Sequence, residues 1–164
     1  MRVSQHTKAE ETVRTAPRAI SAVFAMVLLL AGRPVLAEDH GSAAEATAML
    51  ERAVAAVKTD EAKALAEFNS GSNGFRDRDL YVFCARSDGM VDAHIDHTQI
   101  GRKLQDLYDI VGVAFGEEMM AVAQEGTIKG VSYMWPRPGS RHPTQKVSFV
   151  TRVADQVCGV GYYK

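Results

Sequence analysis

Cysteine is scarce in this chain: two among 164 residues, Cys84 and Cys158. They form no Cys-x-x-Cys and no Cys-x-x-Cys-His, so thioredoxin-like redox chemistry and covalent haem have no support. Long apolar runs are missing too. None reaches the ~18 residues of a membrane-spanning helix. Charge of one sign is absent: 19 Lys and Arg stand against 20 Asp and Glu, a formal net of -1. That removes any bulk electrostatic case for nucleic acid. There is no Gly-x-Ser-x-Gly, no His-Glu-x-x-His and no glycine-rich phosphate loop, so no common catalytic signature is present. No repeat, low-complexity tract or linker divides the chain.

What is present begins with a leader. Arg2, Lys8, Arg14 and Arg18 precede a twelve-residue, mostly apolar run, Ile20 to Ala31. Gly32-Arg33-Pro34 breaks it, and Val35-Leu36-Ala37 places small residues where a signal peptidase cuts. Residues 1–37 therefore read as a secretory signal cleaved after Ala37. The competing readings are an uncleaved anchor or a buried helix; twelve helical residues rise only ~18 Å, short for a bilayer. Of the charged residues, 5 basic and 2 acidic fall in the leader, leaving 14 basic and 18 acidic, a net of −4. Residues 38–164 are one domain, large enough to bury a modest core. In an exported chain the two cysteines form a disulfide or stand as two buried thiols. Their spacing does not decide between these.

Periodicity sketches the domain. Ala46, Met49, Leu50, Ala53, Val54, Val57, Ala64, Leu65 and Phe68 recur at three- and four-residue steps, which predicts one helix over 43–68. Asn69 to Gly74 stop it. Leu80 to Ala85 and Met90 to Ile95 read as strands around an Asp88-Gly89 turn. Short helices are predicted over 98–108, with Ile100, Leu104, Leu107 and Tyr108 inward, and over 115–125. Thr127 to Trp135 and Lys146 to Ala154 alternate as strands. Three prolines between 136 and 145 argue against pairing there. Gln156 to Tyr163 is a last strand. Antiparallel strands with segregated helices make the class α+β.

These segments resemble a known family. Asp79-Leu80-Tyr81-Val82-Phe83, Asp88-Gly89 with Ala93-His94, Gly101, Gly112, Gly130 to Pro136, Lys146 to Val150 and Gly159 to Tyr163 follow one another as in single Cache domains of bacterial extracytoplasmic sensors, closest to the sCache type 2 group. Two departures stand out: Ile95 where that family shows Pro, and Asp109-Ile110-Val111-Gly112 where it often shows Asp-x-Asp-Gly. The resemblance implies a long N-terminal helix packed on a PAS-like five-stranded antiparallel sheet. It implies a small-ligand pocket between the sheet and the segment joining the two strand pairs. It also makes the first and last strands neighbours, which pairs Cys84 with Cys158.

The candidate ligand-binding residues are Tyr81, Phe83, His94, Tyr133, Trp135 and Lys146. Tyr81 and Phe83 share one strand face, as do Tyr133 and Trp135, and aromatic walls with few polar groups suit small molecules. Ordinary core packing accounts for the same pattern. His94 and Lys146 offer positive charge to a carboxylate, with Arg102 and Lys103 as weaker candidates. Asp92, His94, Asp96 and His97 are a possible divalent-metal cluster, although their spacing matches no zinc signature. A polar strand end accounts for them better. Met119-Met120 reads as core filling.

The expected protein is a periplasmic single Cache sensor domain. It binds a small organic acid or similar metabolite and passes its ligand state to a membrane partner, with no enzyme activity, cofactor or nucleic acid. The alternatives are a signal-anchored subunit of an envelope sensor or transport complex, and a small periplasmic metal-binding protein using residues 92–97.

Overall fold

The computed structural model describes residues 39–164, and the predicted leader with its cleavage position lies outside them. The chain runs α1 (Ala43–Thr59), α2 (Glu61–Ser70), β1 (Arg76–Asp77), β2 (Leu80–Arg86), β3 (Val91–Ala93), α3 (Phe115–Val122), β4 (Lys129–Pro136), β5 (Pro143–Val153) and β6 (Gln156–Tyr163). All strand pairs are antiparallel, in the order β1-β2-β6-β5-β4, with β3 also on β2. The α+β, PAS-like architecture is as expected. The sheet has six strands rather than five, because β1 adds a two-residue edge that reads as turn in sequence.

Ser42 and Glu45 close a capping box that starts α1. The predicted single helix is broken at Asp60, which is extended and whose carboxylate accepts from Lys63 N–H as the cap of α2. Apolar periodicity crosses that break, so it could not reveal it. The predicted helix over 98–108 is instead two 3₁₀ turns, His97–Gln99 and Leu104–Asp106. Gly101, at φ 82°, separates them, and Ile100 and Tyr108 are exposed rather than inward. Pairing continues to Pro136 and Pro143 despite the prolines. These two sit at strand ends, where a missing N–H costs the ladder nothing.

Both faces of the sheet are covered, which explains the nearly unbroken apolar run of β2. Leu80, Val82 and Cys84 face α1 and α2, together with Cys158 and Val160 of β6. Tyr81, Phe83 and Ala85 face the other way, toward Leu104, Phe115, Met119, Val131 and Tyr133. Period-two alternation thus sends one strand into two cores. Cys84 and Cys158 are register partners on β2 and β6 and are joined as a disulfide, with both residues fully buried.

Candidate functional site

The second core encloses a cavity of about 30 Å³, room for one or two waters. Tyr81, Phe83, His94, Phe115, Tyr133 and Trp135 are among its walls. Phe115 stacks on Tyr133 with centroids 4.1 Å apart and meets Trp135 edge-on at 5.3 Å. Beside the cavity lies a cleft of about 390 Å³ between the 94–99 segment and the 135–140 loop. Tyr81, His94, Gln99 and Trp135 line both spaces, so the two are neighbours that share one wall.

Five of the six predicted ligand residues converge here. Lys146 lines neither space. It is 1% exposed, and its Nζ donates to the Tyr81 hydroxyl at 2.8 Å. The ammonium lies 4.2 Å from the Tyr81 ring centroid and 4.9 Å from that of Tyr163. Burial pushes its pKa down to about 7, against the pull of Asp79. Gly161 makes this placement possible, since a Cβ there would stand 2.2 Å from Lys146 Cε.

His94 does not supply positive charge. Its Nδ1 accepts from Asp96 N–H at 2.9 Å, which leaves the neutral ring with its proton on Nε2. Burial first, and then the Lys146 charge, lower its pKa to about 4. The ring meets Tyr81 edge-on at 5.0 Å. Its own backbone N–H donates to Asn69 Oδ1, tying the cavity wall to α2.

The 92–97 cluster does not converge on a point. Strand β3 ends at Ala93, so the alternation that would put 92, 94 and 96 on one face stops. Asp92 accepts from Gln156, Asp96 accepts from Thr98, and His97 Nε2 meets Asn69 O. Among the described residues no group of three or more His, Cys, Asp or Glu side chains could hold a metal ion. Lys103 is turned to Asp88, and Arg102 donates to Gln99 Oε1, bracing a cleft residue from behind.

Several site residues carried no sequence signal. Arg76 lines the cleft as the register partner of Tyr81, and its guanidinium has no partner among the described residues. Arg137 lines it too, but is held by the buried Asp79 carboxylate and lies 4.6 Å over the Tyr163 ring. Asp79 also accepts from Gly41 N–H at 2.7 Å. These pairings join residues 38 to 58 positions apart, beyond the reach of any local pattern. In sequence, Asp109 marks only a departure from the family's loop pattern. In the fold its carboxylate accepts from the N–H groups of Val111, Val113 and Met134, each at 2.9 Å. Burial opposes its ionisation, yet these backbone donors keep its pKa below the ordinary value. The loop it shapes fixes the approach to α3.

A model of the Single Cache domain 2 family matches residues 40–163. Among solved structures, the chain is similar to a methyl-accepting chemotaxis protein from Vibrio parahaemolyticus. The TM-score is 0.61 and identity 23%, covering 73% of this chain and 86% of that one. It is similar to a periplasmic sensor domain of a chemotaxis protein at TM-score 0.56 and 24% identity, covering 71% and 86%. A Cache chemosensory domain described for carboxylic acid recognition gives TM-score 0.56 and 20% identity, covering 71% and 84%. At these identities the likeness is one of fold. No curated protein matches the chain.

Proposed function

The chain belongs to the Single Cache domain 2 family of ligand-sensing domains, and from that premise we propose that it binds a small organic acid in the cleft beside Tyr81. The carrying observation is the Arg76 guanidinium, without a partner among the described residues and in register with Tyr81, at the mouth of an aromatic-walled site. Arginine meets a carboxylate through a planar, two-pronged set of donors. The inner cavity, at about 30 Å³, holds no more than a small apolar end. The cleft, at about 390 Å³, accommodates the rest of a short acid. In this reading the acid group meets Arg76 and the Tyr81 edge, while Trp135 covers the hydrocarbon.

The protein works outside the cytoplasm, by binding rather than catalysis. Occupancy shifts the population of the 94–99 and 135–140 segments, and a membrane protein of the envelope reads that shift. The contacts of Asn69 with the 92–97 segment favour α2 as the element that moves with the ligand.

A melting-temperature screen tests this reading, with short carboxylates, amino acids, purines, polyamines and divalent metals as the panel. A ligand that binds only the folded form at 100 times its Kd adds about 2.7 kcal/mol. The expected result is a rise with short carboxylates that disappears in Arg76→Ala and in Trp135→Ala. A rise confined to metals or polyamines refutes the reading.

A further inference from the structure

Lys146 is a buried cation without a counter-ion. It stands among Tyr81 of β2, Tyr133 of β4 and Tyr163 of β6, none of which is ionised near neutral pH. His94, at the end of β3, is neutral. Asp79, before β2, is the nearest influence of opposite sign, but its carboxylate is already engaged by Arg137 from the β4–β5 loop. No carboxylate of the described residues makes an ion pair with Lys146. A buried charge left in this state is expensive, and a partner ion relieves it. The Tyr81 hydroxyl that takes the Lys146 hydrogen bond belongs to the residue that walls both the cavity and the cleft.

We infer that the missing counter-ion is the ligand: the site takes up an anion together with one proton, and Lys146 holds that proton behind Tyr81. This deepens the organic-acid reading and rests on it. Lys146 is then a positioning residue, acting through Tyr81 while Arg76 meets the anion from the solvent side. Without the anion the ammonium readily gives up its proton. With the anion across the Tyr81 ring it keeps it. The net reaction is ligand anion plus H⁺ going to bound anion with a charged Lys146. Affinity therefore falls as pH rises, although the ligand's own charge stays constant. His94 adds nothing to this dependence, because it is already neutral across the same range.

The test uses propionate and succinate on the full chain made in an oxidising compartment, followed by quenching of Trp135, the chain's single tryptophan. Between about pH 7.5 and 9 the apparent Kd is expected to rise by up to tenfold per pH unit, the signature of one linked proton. Calorimetry on the unmutated protein in two buffers of different ionisation heat should show net proton uptake. Lys146→Met, checked for folding by circular dichroism, should bind weakly with a flat pH profile. Binding with no proton uptake, unchanged in Lys146→Met, overturns this inference and leaves the organic-acid reading standing. Failure of both acids to bind at pH 6.5 overturns the two together.

Discussion

The Cys84–Cys158 disulfide makes the sharpest quantitative prediction. It joins β2 to β6 across a sequence separation of 74, so the loop it closes holds about three-fifths of the residues described. Loop-closure entropy for that length is worth about 4–5 kcal/mol. The two sulfurs are fully buried in the core beneath α1 and α2. Replacing both residues by alanine adds voids worth about 1 kcal/mol each at most. For a domain of roughly 125 residues the unfolding entropy is about 0.26 kcal/mol/K, so losing the cross-link lowers Tm by about 15–20 °C. Typical domain stability is only about 5–15 kcal/mol, so the loss brings the protein close to unfolding.

Guanidinium unfolding of the oxidised protein, the reduced protein and Cys84→Ala/Cys158→Ala separates the two contributions. Reduction removes the cross-link and keeps the sulfurs, so it isolates the entropy. The m-value should also increase, because an uncross-linked unfolded chain exposes more surface. A stability loss under about 1 kcal/mol on reduction, with m unchanged, would show that the bond does not restrict the unfolded chain, and the reasoning fails.

Three further outcomes follow from the site. Lys146, depressed by burial to about 7, binds fewer protons folded than unfolded between about pH 7 and 10, so wild-type stability climbs with pH across that window. Two aromatic faces soften the penalty, leaving roughly 3–5 kcal/mol of pH dependence. Lys146→Met removes it and is the more stable protein at pH 6; equal pH slopes in urea unfolding would refute this. Phe115→Ala unstacks Tyr133, costs about 3–5 kcal/mol, and opens the cavity to longer acids. A melting screen reads both effects, and an unchanged ligand-length preference counts against a wall role for Phe115. Asp109→Ala leaves the N–H groups of Val111, Val113 and Met134 without their acceptor, so hydrogen exchange at Val111 and Val113 should accelerate while β6 stays protected.

Local chemistry made much of the fold legible. Residues that repeat every three or four positions revealed the buried side of α1. Alternation along β4 and β5 and the span of β6 were readable because the strand period is two and glycine and Asp-Gly punctuate it. The helix break at Asp60 was not readable, because an apolar stripe continues across it. The two turns around Gly101 were not readable either, since Ile100 and Tyr108 resemble core residues until the fold leaves them at the surface.

The site divides along the same line. Tyr81, Phe83, Tyr133 and Trp135 could be nominated because a strand face aligns neighbours two residues apart. The part played by charge could not. His94 looked cationic, but desolvation keeps it neutral. Lys146 was expected to offer its charge directly to a ligand, but Gly161 lets its stem lie across β6, so that its ammonium ends under Tyr81. Arg76 and Arg137 showed no pattern at all. By itself the sequence determined most of the helical and strand segments and their apolar faces, and that a cysteine pair was available. The tertiary structure alone decided which charges are buried, neutralised or left free, because that depends on the register of strands far apart in the chain and on the water each group loses there.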